Sequence, residues 1–182
     1  VHYKKIQRSL KITLAVSAGL LAMASLSQAI QLADGTTYFA QPPRLVGATT
    51  TQKAANTWGA RYYFTLTLPE GAGEGLQKVA IAQQQGAARP RFELTQTEAF
   101  EGTRNRPGAK LSLKEVTVDA KTGAIEVIFD PPVSPGKTVT VGLSATRNPN
   151  LGGIYLYGVT AFPVGEKPHG QFLGFGRIQI YE

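Results

Sequence analysis

The sequence predicts an antiparallel β-sandwich, immunoglobulin-like or related, of about seven to nine strands. Three observations predict it. Several segments alternate apolar and polar side chains with a period of two, as half-buried strands do. Glycine and proline, 20 and 11 of the 182 residues, punctuate the gaps between those segments. Beyond residue 29, no stretch of helix length carries a 3.6-residue apolar repeat.

The first element is not part of that sandwich. Residues 1–29 read as a secretory signal peptide: Lys4, Lys5, Arg8 and Lys11 precede an uncharged stretch from Ile12 to Leu26. Ser27-Gln28-Ala29 then places small residues where signal peptidase needs them, so cleavage is expected after Ala29. Serine, threonine and glycine dilute the uncharged stretch, which argues against a permanent anchor helix. The expected organisation is therefore a signal peptide over 1–29 and a single sandwich domain over 30–182, with no membrane span after cleavage.

The strands follow in order. Residues 61–68 place Tyr62, Phe64, Leu66 and Leu68 on one face and Arg61, Tyr63, Thr65 and Thr67 on the other. Residues 77–83 align Val79 with Ile81. Residues 84–110 are polar and irregular, and are expected to be a long loop with one short strand or helical turn. Residues 111–118 alternate with a one-residue phase slip near Glu115, which predicts a bulge. Residues 124–130 and 138–145 align Ile125, Val127 and Phe129, then Val139, Val141 and Leu143. Between strands, Gly123 suits the left-handed position of a hairpin, and Pro135-Gly136 suits the centre of a type II turn. Asp130, before Pro131-Pro132, reads as a turn initiator at a strand end. Residues 153–162 place Tyr155, Tyr157 and Val159 opposite Ile154 and Leu156. The closing run, 172–181, should turn Ile178 and Ile180 inward and Arg177 outward, with Gly174 and Gly176 marking a bulge or a close backbone approach.

Composition removes whole classes of chemistry. With no cysteine, the chain has no disulfide, thiolate metal site or cysteine nucleophile. One histidine beyond residue 29, His169, cannot build a zinc site, and its Pro-His-Gly setting reads as an exposed turn. Ser144 lacks the glycine pattern of a nucleophile elbow and falls inside a strand segment. Glu93, Glu98 and Glu101, and separately Asp119, Glu126 and Asp130, lack calcium-loop spacing. No catalytic residue, metal or cofactor is assigned. Removing residues 1–29 takes four of the 19 basic residues and none of the 12 acidic ones, which leaves 15 against 12, a net of +3. Nucleic acid is not an expected partner, because phosphate binding needs clustered positive charge.

The suggestive charged feature is a run of arginines, Arg89, Arg91, Arg104 and Arg106, to which Arg177 is added from the tail. Guanidinium forks match carboxylate, sulfate or phosphate groups, so these residues are the candidate binding set for an anionic glycan or another envelope partner. The glutamates of the same stretch could instead neutralise them locally. Trp58, Tyr62, Tyr63, Tyr155 and Tyr157 could stack on sugars or pack in the core.

Several blocks together carry a family resemblance. They include Tyr62-Tyr63-Phe64-Thr65-Leu66-Thr67-Leu68-Pro69, Phe129-Asp130-Pro131-Pro132-Val133-Ser134-Pro135-Gly136, Arg147-Asn148-Pro149 and Gly174-Phe175-Gly176-Arg177. Over about residues 42–182 the chain resembles the cyanobacterial family catalogued as domain of unknown function 2808. The resemblance implies an exported protein of the periplasm or cell surface and assigns no activity. The reading is thus an exported, non-catalytic binding or structural module. A carboxylate-using enzyme acting on envelope glycans and a subunit of a surface filament or envelope assembly are the rivals.

Overall fold

The computed structural model describes residues 30–182, so the expected signal peptide lies outside the described residues. In chain order the strands are β1 (Ile30–Gln31), β2 (Thr36–Tyr38), β3 (Arg44–Thr50), β4 (Arg61–Thr67) and β5 (Leu76–Gln85). There follow β6 (Phe92–Thr103), β7 (Arg106–Lys110), β8 (Leu113–Val118) and β9 (Ile125–Val133). β10 (Thr138–Ala145), β11 (Gly153–Pro163), β12 (Lys167–Pro168) and β13 (Gln171–Ile180) complete the chain. Two five-stranded sheets face each other, ordered β3-β4-β10-β6-β7 and β13-β11-β5-β9-β8. Every pair within them is antiparallel. β1, β2 and β12 form a small third sheet. The chain is an all-β antiparallel sandwich.

The period-two pattern dictates the layers. In β4, Tyr62, Phe64 and Leu66 are buried while their neighbours are half-buried. They meet Val79 and Ile81 of β5, Val127 and Phe129 of β9, and Tyr155, Tyr157 and Val159 of β11 in one core. Burying each such side chain contributes roughly 1.5–3 kcal/mol. Aromatic rings meet edge to face at its centre: Tyr62 and Tyr157 at 5.8 Å and 88°, and Phe64 and Tyr157 at 5.6 Å and 70°. On the outer face of β4 and β10 the polar residues pair across strands, with Thr65 Oγ1 2.9 Å from Thr140 Oγ1 and Thr67 Oγ1 3.2 Å from Thr138 Oγ1.

The bulge expected near Glu115 is present: Leu113 pairs with Phe129 and Glu115 with Ile128. Gly123 and Gly136 adopt φ of +67° and +82°, the left-handed conformation their turns require. Both expected features of the tail occur. The register slips between Val159↔Gly174 and Thr160↔Phe172, and a Cβ on Gly176 would lie 2.7 Å from the Ala48 Cβ of β3. Gly176 is therefore where the edges of the two sheets come into contact.

Two expectations are corrected. Residues 84–110 are not a loop: they hold the end of β5, all of β6 and all of β7. The ladder from β10 to β6 jumps from Gly142↔Glu98 to Ser144↔Glu93, so β6 carries extra residues and its inward phase flips between Leu94 and Ala99. The flip erases the alternation on which the sequence reading depends. Asp130 likewise does not end a strand, because β9 runs on to Val133. The prolines, which lack a donor, fall where the ladder to β5 is already broken between Lys78↔Ile128 and Leu76↔Val133. The Gln77 amide fills that gap by donating to the Phe129 carbonyl at 2.8 Å. Among the described residues, no helix is long and apolar enough to cross a membrane.

Candidate ligand-binding cleft

Antiparallel topology brings four connections to one end of the sandwich: residues 51–60, 86–91, 119–124 and 146–152. Three of them enclose an open cleft of about 500 Å³, whose lining includes Asn56, Trp58, Arg89, Arg91 and Arg147. Backbone hydrogen bonds fix the walls. Asn56 N–H donates to the Pro149 carbonyl at 3.0 Å, Asn148 N–H to Thr57 at 2.8 Å, and Thr146 N–H to Arg91 at 2.9 Å. Asn56 takes φ of +59°, which an asparagine tolerates better than most residues.

Asn148 fastens this end to the core. The residue is 3% exposed. Its Nδ2 donates to the carbonyls of Gln52 (3.0 Å) and Ala54 (2.8 Å), and its Oδ1 accepts from the Tyr62 hydroxyl at 2.9 Å. Beside it, Arg147 donates from Nε to the Asn56 carbonyl at 3.1 Å and holds its guanidinium 5.2 Å from the centroid of the Trp58 ring. Trp58 is 67% exposed, an unusual state for so large an apolar ring. Among the described residues, the cleft lining holds three arginines and no carboxylate.

The candidate arginines are divided among three places. Arg89 and Arg91 line this cleft. Arg104 and Arg106 lie past the far end of β6, on a hairpin whose tip reaches over the outer face of the first sheet. There Arg104 sits 5.4 Å from the centroid of the Tyr63 ring and donates to the Thr50 carbonyl at 3.3 Å. Arg177 projects from the edge strand β13 and donates to the Gln179 side-chain carbonyl at 3.0 Å. The nearby glutamates pair elsewhere: Glu98 with Arg61 of β4 at 2.6 Å, and Glu101 with Lys137, in the turn before β10, at 3.1 Å. Glu98 also accepts from the Tyr63 hydroxyl at 3.3 Å, and burial, then the Glu98 charge, raise that phenol above its ordinary pKa.

The aromatic candidates are divided too. Tyr62, Tyr155 and Tyr157 are core residues, and Trp58 alone stands out in the cleft. Sequence reasoning passed over Arg147, which no charge run flags. Its signal is position, in the Arg147-Asn148-Pro149 block directly after a strand. His169 is exposed and stacks on Tyr38 at 4.4 Å, away from the cleft, and Ser144 is buried in β10 with its hydroxyl on Gln96.

A family model matches residues 36–180, most of the chain. The chain belongs to the DUF2808 family. That family is described as a protein of unknown function. No curated protein matches the sequence significantly. Among solved structures, this DUF2808 protein is similar to the collagen-binding domain of a Staphylococcus aureus adhesin, at 9% identity and a TM-score of 0.39, covering 69% of this chain and 89% of that one. A longer chain of the S. aureus collagen adhesin matches at 10% identity and a TM-score of 0.41, over 74% of this chain and 48% of its own length. ACE19, the collagen-binding subdomain of an Enterococcus faecalis surface protein, matches at 8% identity and a TM-score of 0.45, over 78% and 99%. Identities this low carry no residue roles across.

Proposed function

We propose that this DUF2808 protein is exported to the cell envelope, with residues 1–29 removed, and acts there as a non-catalytic binding module for an anionic glycan. The observation that carries the reading is the exposed Trp58 ring set among Arg89, Arg91 and Arg147, with no acid among the described residues of the lining. A sugar ring offers apolar C–H faces that stack on an indole, and its carboxylate or sulfate groups suit guanidinium forks. The platform is pre-ordered by backbone hydrogen bonds, so binding orders little chain and loses little entropy. Among the described residues, the lining contains no acid–base pair to cut a glycosidic bond, which favours a binder over the carboxylate enzyme.

The test uses Trp58, the one tryptophan in the sequence, as its own reporter. Titration with oligogalacturonate should change its fluorescence saturably. Arg147→Ala should weaken binding about tenfold or more, the scale of a lost charged hydrogen bond. Raising salt from 50 to 500 mM should weaken it further, because the arginines are exposed. An unchanged spectrum, or affinity indifferent to Arg147, would reject the cleft as the site.

A further inference from the structure

A second cavity, of about 170 Å³, lies between the two sheets behind the cleft. Its walls are apolar: Ile81, Leu94, Ile125 and Leu143, closed by the rings of Phe92 and Tyr157. Arg89 and Pro90 line both this cavity and the cleft, so the two share a rim. The polar groups inside are already engaged. Gln83 donates to the Ala88 carbonyl at 2.8 Å and accepts from the Tyr157 hydroxyl at 3.4 Å. The cavity thus accepts an apolar group and offers its cation, Arg89, only at the mouth. Val118, 51% exposed, forms another part of that mouth.

We infer that the ligand is an anionic glycan bearing a short acyl chain, its charge on the arginines of the cleft and its chain in the cavity behind Arg89. This rests on the glycan reading above and adds the second half of the ligand. Size sets the chain length: an apolar protein cavity of about 150 Å³ accommodates benzene, so this one takes about six carbons. Charge complementarity sets the polarity, because among the described residues the one charged group on the lining is a guanidinium.

The test separates the two halves. Unmodified oligogalacturonate reports the cleft alone. Straight-chain carboxylates and the matching neutral alcohols report the cavity, followed through the methyl NMR signals of Ile125 and Leu143. From butanoate to hexanoate, affinity should rise about fourfold per methylene and level off near six carbons. Hexanol should bind more weakly than hexanoate, and Arg89→Ala should erase that difference. Val118→Trp, an exposed position that places an indole at the mouth, should remove the chain-length gain and leave oligogalacturonate binding intact. Equal affinity for butanoate and hexanoate would overturn the inference without touching the glycan reading. Hexanol binding as tightly as hexanoate would overturn the role of Arg89. A chain-length gain without oligogalacturonate binding would remove the glycan, and with it the acylated glycan.

Discussion

Asn148 satisfies three partners from one buried side chain: two loop carbonyls and the Tyr62 hydroxyl. Asn148→Ala leaves all three without it, and buried polar groups left unpaired are costly. The expected loss is about 2–4 kcal/mol by chemical denaturation, together with weaker glycan binding as residues 51–60 come loose. A loss below about 0.5 kcal/mol would mean that water replaces the amide at no cost. In the sequence, Asn148 stands only as the middle residue of the Arg147-Asn148-Pro149 block. Its role depends on partners 86 to 96 residues away, and no local pattern encodes that distance. Tyr62 and Tyr157, by contrast, are placed on the inner face by alternation alone. Burial pushes both phenols well above their ordinary value, with neighbouring tyrosines adding to the effect. The folded state then holds protons that the unfolded chain releases above about pH 10. Stability should therefore be fully present below pH 10 and fall as pH rises beyond it. Each phenol should contribute up to about 1.4 kcal/mol per pH unit to that fall. Tyr157→Phe should flatten the decline in alkaline melts, and an unchanged slope would place its ionisation outside the unfolding reaction.

Among the elements, β13 and β6 mark the limits of pattern reading. β13 was legible because Ile178, Ile180 and the two glycines keep their phase over the pairing with β11. Its inward residues close the core, so truncation after Gly170 should abolish the cooperative thermal transition or yield insoluble protein. A truncated chain that melts like the intact one would show β13 to be peripheral. A finer probe is Gly176→Val, whose side chain would collide with Ala48 and Phe64. It should destabilise by about 1–3 kcal/mol, the usual cost of overpacking. β6 was not legible. Its inward positions change parity within the strand, and its outer face carries Glu93 and Glu98, which in isolation read as a solvated loop. The same element explains why the arginine run divides: a long strand separates Arg91 from Arg104 and sends them to different connections.

At the scale of the whole molecule, function follows from topology more than from any motif. The alternating strands were enough to indicate two facing sheets, and the sheets then determined which connections share an end. Trp58, Arg89, Arg91 and Arg147 are scattered over 90 positions of the sequence and meet only because β3–β4, β5–β6 and β10–β11 turn at the same end. Arg89 and Arg91 were visible beforehand as charge, whereas Arg147 required the fold. The basic character of that end is local, since beyond residue 29 basic residues exceed acidic ones by only three. A backbone-amide NMR map of the protein titrated with oligogalacturonate locates the binding site residue by residue. Shifts should concentrate in residues 51–60, 86–91 and 146–152 and saturate together with the Trp58 indole signal. Shifts centred instead on the outer face of the second sheet, around Phe172 and Phe175, or on the Arg104–Arg106 hairpin, would place the glycan site outside the cleft.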